Sequence, residues 1–250
     1  MAPWSRTLGV IVLVGLASAV VAVVAWPASP VYPAPLENGS TIADAHAAEL
    51  ESADSFTYRD TTRIRVNGTL ETNRSTVARF DTDTGAELVE RHSDRAGRYT
   101  VYGDGAGSSY ERHAPPAGAV RYGQPLSGAA RVSQYRNPGI APLLGDVEYT
   151  YQGTTRLDGV RVHEYAATTP EQIGGVVGED TDPDVDTTVN VRVFISTDGV
   201  VRRMRILVDQ RDGTRTRTLN STLAYTAVGE TSVPEPGWLE TARNRTGPSR

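Results

Sequence analysis

From Ser55 to Val66 the chain changes side at every residue, and the same alternation returns after each of a series of two-residue turns. Phe56, Tyr58, Ile64 and Val66 share one face of this segment; Ser55, Thr57, Arg59, Thr61, Arg63 and Arg65 share the other. A period of two is what a strand needs when one face is buried and the other wet. Asn67-Gly68 comes next, the pair best suited to a type I′ hairpin turn, so 69–80 reads as the returning strand. Asp104-Gly105, Asp158-Gly159, Asp198-Gly199 and Asp212-Gly213 repeat the device between runs rich in Val, Ile, Thr and Tyr. Strands are thereby predicted over 146–155, 160–168, 188–196, 200–209 and 214–225, with Val189, Val191, Val193 and Ile195 on one face. Consecutive hairpins build an antiparallel meander, about nine or ten strands in all. A sheet with one apolar face must curl, fold over or be covered. Helix is scarce in this chain, so curling is the expected solution. The predicted fold is mainly β, a curved antiparallel half-barrel with a short N-terminal helix and minor helical segments, after one N-terminal transmembrane helix.

The helix is expected over 40–53, where Thr41 and Asp44 resemble a capping box and the body is rich in Ala, Glu and Leu. Its apolar stripe is thin, Ile42, Ala45, Ala48 or Glu49, and Leu50, which implies one-sided docking on something else. Residues 114–144, rich in Pro and Gly, are less regular, with one helical turn expected over 139–144.

Residues 8–26 are nineteen in a row without a charge. At 1.5 Å per residue they reach about 28 Å, enough to cross a bilayer. An uncleaved anchor is favoured over a removed signal peptide, whose apolar core is shorter. Arg6 precedes the segment, whereas Glu37 and Asp44 follow it, so the N-terminus stays in the cytoplasm and the remainder lies outside. The protein is thus expected in the cell membrane as a single-pass chain, or secreted if the signal is cleaved. The organisation follows: an anchor or signal at 1–26, a Pro-rich linker at 27–39, an extracytoplasmic β domain at 40–243 and a flexible tail at 244–250.

Sequons agree with that placement. Five of the seven Asn, Asn38, Asn67, Asn73, Asn220 and Asn244, begin an Asn-x-Ser/Thr triplet without central Pro. These are the candidate glycosylation sites. All 25 basic residues are Arg against 30 acidic ones, for a net charge of −5, which argues against nucleic acid as partner. The missing Lys has two readings, GC-rich codon usage and adaptation to high salt. There is no Cys, so disulfides, thiolate metal sites, a Cys nucleophile and a lipidated Cys are excluded together.

No catalytic signature stands out. His46, His92, His113 and His163 lack metal-ligand spacing and read as surface residues. The acidic run 179–186 lacks the Gly and distal Glu of an EF-hand and reads as a hydrated loop. No Gly-x-Ser-x-Gly occurs, and the glycine pairs lack a phosphate-cradling pattern. Paired acids for glycoside cleavage need only meet in space. No cofactor is expected. The inward-facing Phe56, Tyr58, Ile64, Val66, Tyr149 and Tyr151 are the candidate ligand-binding residues, with ordinary core packing as the other reading of each.

The helix-then-long-strand opening AHAAELESADSFTYRDTTRIRV (45–66) resembles the LolA- and LppX-like lipoprotein and lipid carriers. The hairpins LLGDVEYTYQGTTRLDGVRVHEYAAT (143–168) and FISTDGVVRRMRI (194–206) look like that superfamily's hairpins. The closing PEPGWLETA (234–242) is similar to small secreted proteins of halophilic archaea. The resemblance implies a half-barrel closed by helices, with an apolar cavity for acyl chains. Two departures, no lipobox Cys and a retained anchor, speak against a freely diffusing shuttle. The expected function is a membrane-anchored binding protein, not an enzyme, that holds a lipid, a lipidated segment or another apolar ligand. Its rivals are an envelope protein that docks a protein partner through the sheet and, third, a cell-surface hydrolase.

Overall fold

The computed structural model describes residues 39–125, 132–145, 147–170, 172 and 185–246. The apolar segment 8–26, the linker up to Asn38, nearly all of the acidic run and residues 247–250 lie outside them. Helix α1 (Gly39–Ser52) leads into a meander of six strands: β1 (Ser55–Val66), β2 (Thr69–Asp81), β3 (Ala86–Ser93), β4 (Gly97–Asp104), β5 (Ser109–Ala114) and β6 (Arg121–Gly123). Two short helices, α2 (Ser133–Arg136) and α3 (Ile140–Gly145), precede a second meander of β7 (Thr150–Leu157), β8 (Val160–Ala167), β9 (Asp186–Ser196), β10 (Val201–Asp212) and β11 (Arg215–Thr226). Helix α4 (Leu239–Thr246) follows.

Pairing of β1 with β11 joins the two meanders into one antiparallel sheet ordered β6-β5-β4-β3-β2-β1-β11-β10-β9-β8-β7. The sheet curves without closing, since β6 and β7 remain its two edges. Among the described residues it has eleven strands, more than the nine or ten expected; β6 is only three residues long and has no alternation to read. The hairpin turns are as their residues require: Asn67 and Gly68 have φ of 50° and 78°, Asp158 and Gly159 52° and 85°. Both central positions of a type I′ turn need positive φ.

Register defines the two faces, because residues directly opposite in a ladder share a side. Phe56 faces Phe80, Tyr58 faces Ala78 and Tyr225, and Ile64 faces Leu219, all on the concave side. Helices α1, α2 and α3 close one end of that side. Ile42 and Leu50 of α1, Tyr135 of α2, and Ile140 and Leu144 of α3 share a buried cluster with Phe56, Phe80, Val89, Val101 and Tyr225. Aromatic contacts tie it together: Tyr58 to Tyr135 at 5.3 Å, Phe80 to Tyr135 at 5.2 Å and Phe56 to Phe80 at 5.1 Å between centroids. Each such pair adds about 0.5–1.5 kcal/mol beyond area burial. On the convex side, Leu239 of α4 packs on Leu88 of β3 and Tyr102 of β4.

Several expectations are corrected. Helix α1 begins at Gly39, ahead of Thr41, and buries Ile42, Ala43, His46 and Leu50 while Ala48 is exposed. His46 is therefore core, not surface. Strand β7 begins at Thr150; Tyr149 precedes it and donates from its hydroxyl to the Leu143 carbonyl at 2.8 Å. Leu70, in phase with Ala78 and Phe80 along the strand, is 41% exposed at the hairpin tip, away from the helices. Ser55 and Thr57 face outward as alternation requires yet are buried, because Thr231 crosses them and bonds both their side chains. Helix α4 runs to Thr246, so Asn244 lies in a helix and not in a tail.

Candidate functional site

The ladder places two cross-strand rows side by side on the concave face. One runs Asp60, Thr76, Arg91, Tyr99 across β1, β2, β3 and β4; the next runs Thr62, Arg74, Ser93, Gly97. Tyr58, one step nearer the helices, and Gln134, Tyr135 and Pro138 from the α2 region complete a cleft of about 630 Å³. The order follows from local chemistry. Alternation sends the even side chains of β1 and β2 inward, and the chain between β6 and β7 brings Tyr135 over them. Gly97, with φ of 79°, ends the cleft at the start of β4, close against Ala114 and Pro115; a Cβ there would overlap the Ala114 carbonyl.

The polar groups are partly tied. Arg91 donates from Nη2 to the Tyr135 hydroxyl at 2.6 Å, and Tyr99 donates from its hydroxyl to Glu111 Oε2 at 2.5 Å. Arg74 is exposed and makes no hydrogen bond or ion pair among the described residues. Burial lifts the Asp60 carboxyl above the ordinary aspartate value, and Arg74 pulls it back. Burial, then Glu111, pushes the Tyr99 hydroxyl up to about 12. Tyr58 also stays protonated far above the usual phenol range, through burial first and then Asp60. At neutral pH the cleft thus offers phenol donors, two guanidinium groups and one carboxyl.

Across β1 the character of the face changes. Beyond Asp60 the ladder meets Leu223, then Met204 and Val193; beyond Thr62 it meets Ser221, then Ile206 and Val191. Val189, Val208 and Leu219 form a third row with Ile64. These aliphatic rows are uncharged, and Ile206, Leu219 and Leu223 are only partly buried.

Of the six candidate ligand-binding residues, Tyr58 alone lines the cleft. Phe56 is fully buried among the helices. Ile64 and Val66 lie half-buried toward the far end of β1, beside the aliphatic rows. Tyr149 is sealed under α3, and Tyr151 packs on Tyr165 at 5.3 Å with its hydroxyl 3.2 Å from His163 Nδ1. Sequence reasoning missed Asp60, Arg74, Arg91, Tyr99 and Tyr135. A signal existed for the first: Asp60 is in phase with Phe56 and Tyr58, an acid on the face meant to be buried. Among the described residues no three His, Asp or Glu side chains gather as metal ligands, and no helix is long and apolar enough to cross a membrane.

The four sequon Asn that are described keep clear of the cleft. Asn73 and Asn220 flank Arg63 on the convex face, Asn67 sits in the β1–β2 turn and Asn244 on α4. Asn67, Asn220 and Asn244 are exposed, while Asn73 is half-buried, its Nδ2 3.5 Å from Asp94 Oδ1.

A family model described as a family of unknown function (DUF7537) matches residues 27–242. A comparison with curated proteins finds no match. Among solved structures, the Mycobacterium tuberculosis lipoprotein LppX is similar at 11% identity, covering 79% of this chain and 98% of its own, with a TM-score of 0.40. LprF from Mycobacterium bovis is similar at 14% identity, with 79% and 96% covered and a TM-score of 0.44. A LolA superfamily protein from Nitrosomonas europaea is similar at 13% identity, with 79% and 95% covered and a TM-score of 0.23. All three TM-scores lie below 0.5.

Proposed function

The chain belongs to the family of unknown function DUF7537, and from that premise we propose that its β domain is a binding module that holds a lipid, a lipidated segment or another apolar ligand on the concave face. One observation carries this reading. The rows of β10 and β11, with Ile206, Leu219 and Leu223 partly exposed, lie on the same face beside Asp60 at the border of a cleft of about 630 Å³, within the range of small-ligand sites. Covering such rows with an apolar ligand contributes about 25 cal/mol for each Å² removed from water. No covalent step is needed for that role. Residues 8–26 hold the domain to the membrane with its sheet outside, and the placement of Asn67, Asn73, Asn220 and Asn244 away from the concave face supports this. Glycans at those positions leave the binding face open.

The test is mass spectrometry of organic extracts from the full chain, purified from its native membrane and compared with a Leu223→Arg variant. The expected result is one enriched lipid species that the variant lacks. Equal lipid in both preparations, or none in either, removes the reading and favours docking of an envelope protein through the sheet.

A further inference from the structure

We infer that the concave face selects amphiphiles by an anionic head, a carboxylate or phosphate, held between Arg74 and Arg91; this rests on the apolar-ligand reading above. Both rows pass through a guanidinium on β2 or β3 and reach aliphatics on β11 or β10. One leads from Arg91 through Thr76 and Asp60 to Leu223, Met204 and Val193. The other leads from Arg74 through Thr62 and Ser221 to Ile206 and Val191. Met204, Val193 and Val191 are already covered by the core, so a ligand lying along either row meets a guanidinium at one end and the partly exposed Leu223 or Ile206 at the other, which is the complement of an anionic amphiphile. The span fits as well: Arg74 to Ile206 is three strand spacings, about 14 Å, the length of a medium acyl chain.

Arg74 and Arg91 are diagonal neighbours on β2 and β3, since Thr76 faces Arg91 and Arg74 faces Ser93. Diagonal Cβ atoms stand roughly 7–8 Å apart, so two long side chains on one face can reach a single oxyanion. Two like charges at that separation repel each other unless an anion joins them. The protein supplies little to offset them. Among the described residues Asp60 is the only carboxylate lining the cleft, and burial disfavours its charged form; Glu111 is engaged by Tyr99, and Asp94 lies at the rim, 3.4 Å from His92 Nε2. Arg91 gives one donor to Tyr135 and keeps the rest of its fork; Arg74 keeps all five. Thr62 and Ser221 satisfy each other at 3.2 Å, so the path between head and tail asks nothing polar of a ligand.

The experiment uses the full chain in phosphatidylcholine vesicles with two photoreactive probes, a diazirine-bearing dodecanoic acid and its methyl ester. Labelled peptides are quantified after irradiation. The acid is expected to label the β10–β11 peptides about tenfold more than the ester, the scale of one charge-assisted hydrogen bond. Arg74→Gln, at an exposed side chain that makes no hydrogen bond or ion pair among the described residues, should bring the acid down to the ester's level while the ester's own labelling stays unchanged. Equal labelling by acid and ester overturns the head-group inference and leaves the apolar-ligand reading standing. No labelling of the concave strands by either probe overturns both. Inorganic phosphate alone is the third arm. If it raises the melting temperature as much as the acid does, the site takes a free oxyanion, and selection of an amphiphile is wrong.

Discussion

The backbone N–H of Val201 donates to Nδ1 of His46 at 3.2 Å, joining the first helix to the start of β10 across 155 residues of chain. The imidazole is fully buried against the Tyr225 ring, 4.5 Å between centroids. Its Nε2 is buried outside hydrogen-bonding geometry with any described group, although the Arg136 backbone lies near enough to favour the charged form slightly. Burial dominates and lowers the His46 pKa to about 4, with Arg202 adding to the effect.

That geometry sets a pH dependence. The folded pKa is depressed below the unfolded 6.5, so the unfolded chain takes up a proton first as pH falls. The stabilisation is complete above 6.5 and is lost between 6.5 and about 4, by up to roughly 3 kcal/mol. Urea unfolding at pH 7.5 and pH 4.5 measures it. His46→Gln, which keeps an acceptor for Val201 but does not titrate, should show a smaller difference between the two; an equal difference would assign the acid sensitivity to other groups.

Tyr135 works from both ends. Its hydroxyl accepts from Arg91, and its carbonyl accepts from the buried Tyr225 hydroxyl at 2.6 Å. Tyr135→Phe should cost about 1 kcal/mol, the loss of one hydrogen bond, and free the Arg91 fork. Tyr135→Ala should cost about 3–5 kcal/mol, since it also strips the ring from Tyr58 and Phe80. If the two variants unfold at the same urea midpoint, the ring does not seal the core as the aromatic contacts indicate.

Gly68 and Gly97 both have positive φ, yet only Gly97 lacks room for a Cβ. Gly68→Ala should lose about 1–2 kcal/mol, the left-handed penalty alone. Gly97→Ala should lose more, because the Ala114 carbonyl and Pro115 must also move. Calorimetry of the two variants ranks them; a reversed order would mean that the β3–β4 turn adjusts freely.

Glycopeptide mapping of the native protein should find sugar on Asn67 and Asn220, which are exposed, and less on Asn73, which is half-buried. Asn137, whose Oδ1 accepts from the Ile140 N–H at 3.2 Å to start α3, lies outside any sequon and should carry none. A wholly unmodified chain would take away the sequons' support for an extracytoplasmic sheet.

The strands and their turns were legible because both are local. Ser55–Val66 begins and ends where the alternation does, and Asn67-Gly68 turns where its backbone freedom allows. Where a nearby signal was weak, boundaries slipped: Tyr149 precedes β7, and Gly153, at φ of 115°, shifts its register. Face assignment followed the sequence as far as the period held. The sequence alone therefore determined an antiparallel meander with one apolar face, since period two and turn chemistry act between neighbours in the chain. The tertiary structure alone decided that β1 joins β11, that Tyr135 crosses onto Tyr58, and that Asp60, Arg74 and Arg91 share a cleft. Those relations depend on register between segments far apart in sequence, and a cross-strand row is set by the hydrogen-bond ladder, which leaves no periodic trace in the chain.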